Sequence, residues 1–199
     1  DGKPVAEPKH LRFVTGMRKK GWSKNVVAIG LSAGFMEPLE STSLHLIQYG
    51  IMRLLAMLPD SDINPLLADE YSAMTRAEYE RIRDFLILHY HRTDREDSEF
   101  WRYCKNMSVP ESLTDKMRLF EGNGLLYKDP EDLFRESSWV QVMVGQGLMP
   151  KSFHAMANRL SSDQLNTFLG DVQKLIARAT GELTQHQAFI DTHCKADLQ

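Results

Sequence analysis

The chain has 199 residues, of which 42% are hydrophobic and 26% are charged, and its formal net charge is −3. This composition is typical of a folded protein with a sizeable core and excludes an intrinsically disordered chain. Without a basic excess, and without an apolar run approaching the roughly 20 residues that span a bilayer, neither nucleic acid nor a membrane is expected as a partner.

The N-terminal part of the chain predicts short strands. Residues 11–14 alternate between apolar and polar as in a short strand. Residues 26–29 form a compact apolar run with β-branched members, which predicts a buried strand that ends at Gly30. A loop that contains Gly34 and Pro38 follows, because neither residue favours the interior of a helix or strand.

Helices are predicted for the rest of the chain. The first begins near Ser41–Ser43 and is stopped by Pro59, and a second, longer helix follows Asn64. Residues 125–136 have the composition of an irregular segment. Further helices are expected around Trp101, from Pro110 to the glycines at 122 and 124, from about 164 to 180, and beyond Gly181. The stretch from Ser138 to Gly145 carries Trp139, Val142 and Met143 and is followed by glycines and Pro150 that break the chain.

One strand that leads into many helices indicates the end of an α/β domain followed by a mainly α-helical region. The expected junction lies near residue 60, between regions 1–60 and 61–199. The chain begins at Asp1 without a methionine, and no GxGxxG occurs in it, so we expect a fragment. Its predicted strand at 26–30 would lack partners, so the isolated chain should expose apolar surface or pair with another copy as a homodimer.

Two cysteines, Cys104 and Cys194, are too few for a disulfide framework and have no metal-ligand spacing. A reducing cytoplasm is therefore the expected location. His89 and His91 are two residues apart with no third ligand at metal spacing, so no metal site is expected. For His45, in the first turn of the first helix, hydrogen bonding and core packing are both open interpretations.

The loop before the first helix has the features of an anion site. Ligands of open α/β sheets bind beyond the carboxyl ends of the strands. A helix start exposes unpaired N–H groups and the positive end of the dipole, which favour an anion. Ser41, Thr42 and Ser43 stand where N-caps are expected, so side-chain capping and anion binding at the amides are two compatible interpretations.

Two carboxylates, Glu37 and Glu40, flank Pro38 and Leu39 in this loop. Acids just before a helix N-terminus are electrostatically favoured, which explains one of them. A carboxylate held in an apolar loop can instead have a shifted pKa and act as a base or a charge stabiliser. The loop is therefore a candidate catalytic element.

The segment Gly34-Phe35-Met36-Glu37-Pro38-Leu39-Glu40-Ser41-Thr42-Ser43, with flanks from Asn25 to Gln48, resembles a signature of the flavin-dependent tryptophan halogenases. More than twenty consecutive positions fit. Weaker similarities cover most of the remaining chain, at Arg83-Asp84-Phe85, His89-Tyr90, Phe100-Trp101-Arg102, Trp139 and Gly145-Gln146-Gly147.

This resemblance implies an FAD-dependent halogenase. Reduced FAD, supplied by a partner flavin reductase, reacts with oxygen and with chloride or bromide to give hypohalous acid. The acid crosses a tunnel to a small, electron-rich aromatic substrate such as tryptophan or another indole. Residues 1–60 are then the end of the FAD- and halide-binding domain, of the FAD-binding monooxygenase type, and residues 61–199 are the substrate-side region.

The same resemblance assigns roles to single residues. Glu40 matches the glutamate at the far end of the tunnel, where it positions the halogenating species or takes the proton from the ring intermediate, and Ser41 lies beside it. The backbone amides of Thr42 and Ser43 correspond to the halide site. The remaining assignments are Leu31 and Leu44 for contact with FAD, and Tyr127 and Phe134, with Glu40, for contact with the substrate.

Several family features are missing from the chain: the lysine that works with the glutamate, the GxGxxG turn that holds FAD, and the Trp-x-Trp-x-Ile-Pro signature. Ser43 stands where several members have glycine, so a narrower halide pocket is expected. Two rival functions remain, a flavin-dependent hydroxylase of the same fold and a helical scaffold without catalysis. Free tryptophan, another indole, a pyrrole and a phenol all remain candidate substrates.

Overall fold

The computed structural model describes residues 3–127 and 130–195, which form seven α-helices and four strands of two residues each. The chain divides into two compact units, Asp1–Ser152 and Phe153–Gln199. Within the described ranges, no helix combines the length and the apolar character that a membrane crossing requires. The junction predicted near residue 60 separates functional regions of an enzyme, and it stays a prediction.

The strands form two small antiparallel pairs. Strand β1 (Gly16–Met17) pairs with β4 (Gly34–Phe35), and β2 (Trp22–Ser23) pairs with β3 (Val26–Val27). The strand predicted over residues 11–14 is wrong: this segment has no regular structure, and its large apolar side chains are exposed. Alternation of apolar residues over four positions marks a strand only where a partner strand is present.

The buried strand predicted at 26–30 is also wrong in its length and its burial. Lys24 takes a left-handed φ of 52°, and the tight turn at this residue folds β3 back beside β2. Trp22 is buried, whereas Val26 is 63% exposed. The apolar residues at 26–29 favour a β conformation, but the length of the strand depends on its hairpin partner β2.

The predicted helices are all present, with shifts of a few residues at their ends. The segment predicted to be irregular contains no helix or strand from 125 to 127 and from 130 to 135. The helices are α1 (Ser43–Ala56), α2 (Pro65–His91), α3 (Glu99–Asn106), α4 (Glu111–Asn123), α5 (Glu136–Gly145), α6 (Ser162–Gly181) and α7 (His186–His193). Short 3₁₀ helices span Gly30–Ser32, Leu39–Ser41 and Ala155–Arg159.

Local signals in the sequence set the helix ends. The Asn64 side chain caps α2 by accepting a hydrogen bond from the Leu66 amide at 3.0 Å. Ser161 and Gln164 form a reciprocal capping box at the start of α6. Gly124 ends α4 with a left-handed φ of 69°, a conformation that glycine adopts without strain.

Helix α2 is the central element of the first unit, and it supplies both clusters of the hydrophobic core. Each fully buried aliphatic or aromatic side chain there contributes about 1.5–3 kcal/mol. The larger cluster joins α2 to α4 and α5 and contains Phe85, Leu88, Leu113, Phe120, Leu126, Trp139, Met143 and Leu148. The smaller cluster joins α2 to α1 and contains Leu46, Tyr79, Ile82 and Leu86.

The second unit consists of a 3₁₀ helix, α6 and α7. Helix α6 is amphipathic, as the spacing of its apolar residues predicts. The large apolar side chains of α6 are exposed, and they are Leu165, Phe168, Leu169, Val172, Leu175 and Ile176.

Candidate functional site

The loop between β4 and α1 contains two consecutive residues in a conformation that L-amino acids rarely adopt. Glu40 has φ 66° and Ser41 has φ 51°. In the part of the chain that the structure describes, the one other non-glycine residue with positive φ is Lys24. Left-handed backbone costs about 1–3 kcal/mol per residue and is concentrated at active sites and ligand clamps. This strain marks Glu40 and Ser41 as candidates for function.

Glu37 connects the loop to α2. Its Oε2 accepts hydrogen bonds from the Tyr90 hydroxyl at 3.1 Å and from the Leu39 amide at 3.2 Å, while its buried Oε1 has no partner among the described residues. Burial and the adjacent Glu37 carboxylate raise the pKa of Tyr90, because both disfavour the phenolate. Of the two carboxylates in the loop, Glu37 is therefore the one that anchors it.

Gly34 fixes the other end of the loop. A Cβ at this position would lie 2.7 Å from the carbonyl oxygen of Gly16 and 2.9 Å from the Cα of Met17. Both neighbours are backbone atoms of β1, so they have little freedom to move. The β1–β4 pairing therefore requires glycine at position 34. This pairing fixes the start of the loop that leads to Glu40 and Ser41.

Helix α1 begins at Ser43, within the predicted range, and its first turn has unsatisfied N–H groups. The N-cap residue Thr42 is buried, and its side chain makes no capping hydrogen bond. The first helical hydrogen bond runs from the Leu46 amide to the Thr42 carbonyl at 3.0 Å, so the amides before Leu46 lack an intrahelical acceptor. Beside them lies a cavity of about 200 Å³ lined by Gly30, Leu31, Gly34, Met36, Thr42, Ser43, Leu46, Ile47 and Tyr79. Unpaired amides next to a small cavity can bind an anion.

Glu40 contacts a histidine of α2 that the sequence did not single out for this role. Its Oε1 lies 3.3 Å from Nε2 of His89, and the other ring nitrogen of His89 lies 2.8 Å from the Phe85 carbonyl oxygen. The side chains of Glu40 and His89 are 40% and 18% exposed. The helical spacing of Phe85 and His89 on the apolar face of α2 is the one sequence signal that points to this contact.

The two substrate candidates from the irregular segment line the same cavity. This cavity has a volume of about 760 Å³ and is bounded by residues of α1, α4, α5 and the segment before α5, including His45, Tyr127, Phe134 and Trp139. Tyr127 is largely exposed, and Phe134 stacks on Phe85 with ring centroids 3.9 Å apart. Phe85 also contacts His89, so Phe134 and Glu40 are connected through two intervening side chains.

A buried ion-pair cluster joins α1 to α2, and one of its members, His45, lines this cavity. Glu78 is 5% exposed, with Oε1 at 2.9 Å from Nε2 of His45 and Oε2 at 3.0 Å from Nη2 of Arg53. Arg53 also donates to the hydroxyl of Thr75 at 3.0 Å. Of the two interpretations of His45, hydrogen bonding is observed, and its partner is Glu78.

The two cofactor candidates have exposed apolar side chains, with Leu31 at 73% and Leu44 at 78% exposure. Leu31 lies in the 3₁₀ helix Gly30–Ser32, and Leu44 lies in the first turn of α1. Neither side chain joins the core, so both are available for contact with a ligand. No group of three or more histidine, cysteine, aspartate or glutamate residues is arranged for a metal ion within 3–127 and 130–195.

Comparison with known proteins identifies relatives over most of the chain. The family profile of tryptophan halogenases matches residues 1–162. The chain is 32% identical to the tryptophan 7-halogenase KtzQ of Kutzneria sp. over 157 residues, which are 71% of this chain and 30% of that protein. It is 28% identical to the tryptophan 7-halogenase RebH of Lentzea aerocolonigenes over 163 residues, which are 74% of this chain and 31% of that protein.

Solved structures agree with these matches. A flavin-dependent halogenase from Xanthomonas campestris superposes with a TM-score of 0.93 at 42% identity, over 99% of this chain and 40% of that one. The flavin-dependent halogenase BrvH from Brevundimonas sp. superposes with a TM-score of 0.88 at 39% identity, over 96% of this chain and 39% of that one. The chain thus spans less than half the length of each relative.

Proposed function

The chain belongs to the tryptophan halogenase family, and from this premise we propose that it is the C-terminal portion of an FAD-dependent halogenase. The complete enzyme would use reduced flavin, oxygen and halide to halogenate an electron-rich aromatic such as tryptophan or another indole. The observation that supports this function best is the strained Glu40-Ser41 pair, which lies directly before the unsatisfied amides of α1. A hydroxylase of the same fold would need no anion site at this position.

The halide would bind at the start of α1. The amides of Thr42 and Ser43 belong to the first turn, where the helix dipole favours negative charge, and both residues line the cavity of about 200 Å³. The Ser43 side chain narrows this space relative to a glycine but leaves the N–H in place. A small monatomic anion, chloride or bromide, fits this arrangement.

FAD would lie against the 3₁₀ helix that contains Leu31 and against the exposed Leu44 side chain at the start of α1. Gly30 has φ 65°, and a Cβ there would lie 3.0 Å from the Ile47 side chain, so glycine lets this loop pack closely against α1. Bound reduced FAD would supply hypohalous acid from oxygen and halide. The contribution of this chain would be to present apolar contacts to the cofactor and amides to the halide.

Glu40 would act on the substrate, with Ser41 beside it in the same strained turn. During substitution the carboxylate accepts the ring proton: the C–H bond breaks, its electron pair restores the aromatic ring, and an O–H bond forms on Glu40. Tyr127 and Phe134 supply aromatic surface for stacking in the larger cavity. In this scheme residues 1–60 are the end of the FAD- and halide-binding domain and also supply Glu40, and residues 61–199 are the substrate-side region.

Several finer assignments remain part of the proposal. A separate flavin reductase would supply the reduced FAD, and the cytoplasm is the expected compartment. The substrate class is a small aromatic, with tryptophan, another indole, a pyrrole and a phenol as the candidates. Association of two copies of the chain remains a further expectation.

The test is Glu40→Gln in the complete halogenase, because it removes the charge and keeps the size. Formation of halogenated product should fall by about 10²–10⁴-fold, the usual contribution of acid–base assistance. Reoxidation of the flavin should stay unchanged. Glu37→Gln is the matched control, and it should reduce product formation much less, since Glu37 anchors the loop.

Two outcomes would contradict this assignment. Equal losses in Glu40→Gln and Glu37→Gln would mean that both carboxylates only shape the loop. Slower flavin reoxidation in Glu40→Gln would move the residue from the substrate to the cofactor.

A further inference from the structure

The ring of His89 is held in one orientation near the end of α2. Its Nδ1 lies 2.8 Å from the Phe85 carbonyl oxygen, and the ring packs edge-on against Phe85 with centroids 4.8 Å apart. The His89 carbonyl accepts a hydrogen bond from Nε2 of Gln146 at 3.3 Å, which joins this turn to the end of α5. Nε2 of His89 is thereby directed toward Glu40.

The contact with the Phe85 carbonyl identifies the ring nitrogen that faces the helix backbone. A carbonyl oxygen can only accept a hydrogen bond, so Nδ1 of His89 carries a proton. Nε2, at the other side of the ring, lies 3.3 Å from Oε1 of Glu40.

We propose that His89 is a positioning residue for Glu40, and that its fixed ring holds the Glu40 carboxylate in the orientation in which it acts. This inference rests on the proposed function, because it gives a partner to the residue that accepts the ring proton. Only an ionised carboxylate can accept that proton. The contact with His89 also helps to hold the left-handed backbone of Glu40, which is otherwise unfavourable.

A purely structural role for His89 makes different predictions. His89→Phe keeps an aromatic ring against Phe85 and removes both ring nitrogens. His89→Gln replaces the ring by a neutral amide that can still donate a hydrogen bond to Glu40. If only packing mattered, the phenylalanine variant would be the better replacement.

In the complete halogenase we expect His89→Phe to lower kcat for product formation by about 10–10²-fold, with little change in the substrate KM or in flavin reoxidation. His89→Gln should recover part of this loss. His91→Phe is the matched control, because His91 lies two residues away on α2 and pairs with the Cys104 carbonyl at 3.3 Å. It should keep the activity of the unaltered enzyme. Activity in His89→Phe equal to or above that in His89→Gln would overturn the proposal.

A second measurement does not depend on activity. In ¹⁵N NMR spectra of this chain, the Nε2 resonance of His89 should change in the Glu40→Gln chain, while the ring resonances of His91 stay the same. A His89 ring that does not respond to Glu40→Gln would disprove the contact. If halogenation proves independent of Glu40 while the spectra show the contact, the proposed function fails and the contact stands.

Discussion

At the scale of single residues, Glu40 combines an unfavourable backbone with a carboxylate that contacts a partly buried histidine. The sequence motif predicts Glu40 and Ser41 as catalytic candidates, but it does not predict their left-handed φ angles. Those angles follow from the geometry of the loop, which Gly34 fixes at β4 and Glu37 fixes at α2. The site residues come from a short stretch of sequence, whereas their strain comes from contacts that are distant along the chain.

Ser43 supports a prediction about halide selectivity. Ser43→Gly removes a side chain from the wall of the small cavity at the start of α1 and keeps the amide. In the complete halogenase, the ratio of kcat/KM for bromide to that for chloride should rise severalfold, because the larger anion gains space. The measurement is a competition assay with both halides.

Ser162→Gly is the matched control, since Ser162 is the first residue of α6 as Ser43 is of α1. It makes the same chemical change at the same helical position and should leave the ratio unchanged. An unchanged ratio in Ser43→Gly would remove the Ser43 side chain from the halide pocket.

At the scale of elements, the sequence predicted the helices well and the strands poorly. Helix ends depend on neighbouring residues, such as the Asn64 cap and the left-handed Gly124, so they can be identified from local patterns. Strands depend on partners, and β3 pairs with a hairpin strand that the apolar run at 26–29 does not specify. Cross-helix contacts such as His45 to Glu78 are likewise set by packing, so the sequence left the role of His45 open.

The β1–β4 pair gives a prediction at this scale. Gly34→Ala should destabilise the chain by about 1–3 kcal/mol, the usual cost of overpacking, because its Cβ would meet the backbone of Gly16 and Met17. Thermal or urea unfolding followed by circular dichroism measures this change. Gly16→Ala is the matched control in the partner strand, since a Cβ there would meet no atom within 4 Å, and it should have a small effect. Similar losses in both variants would contradict the steric explanation.

At the scale of the whole molecule, α1 has one apolar face in the core and another that is exposed. Leu46 and Gly50 are buried, whereas Leu44, Ile51 and Leu55 lie on the opposite face with exposures of 78%, 45% and 67%. Contiguous apolar surface of this kind is typical of an interaction site. The sequence predicted exposed apolar surface at an unpaired strand over residues 26–30. In the structure Val26 and Val27 pair with β2 in a hairpin, and the exposed apolar face lies on α1.

This face predicts that the chain on its own self-associates. Burial of an isoleucine or leucine side chain contributes about 1.5–3 kcal/mol, and a symmetric contact would bury several, enough to offset much of the cost of association. Sedimentation velocity at increasing concentration should therefore show dimers or larger species. The double variant Ile51→Lys, Leu55→Lys should remain monomeric, while Gln141→Lys, which adds a charge at an exposed polar position of α5, should associate as before. A chain that stays monomeric at every concentration would contradict the prediction, and association that persists in the double variant would assign it to another surface.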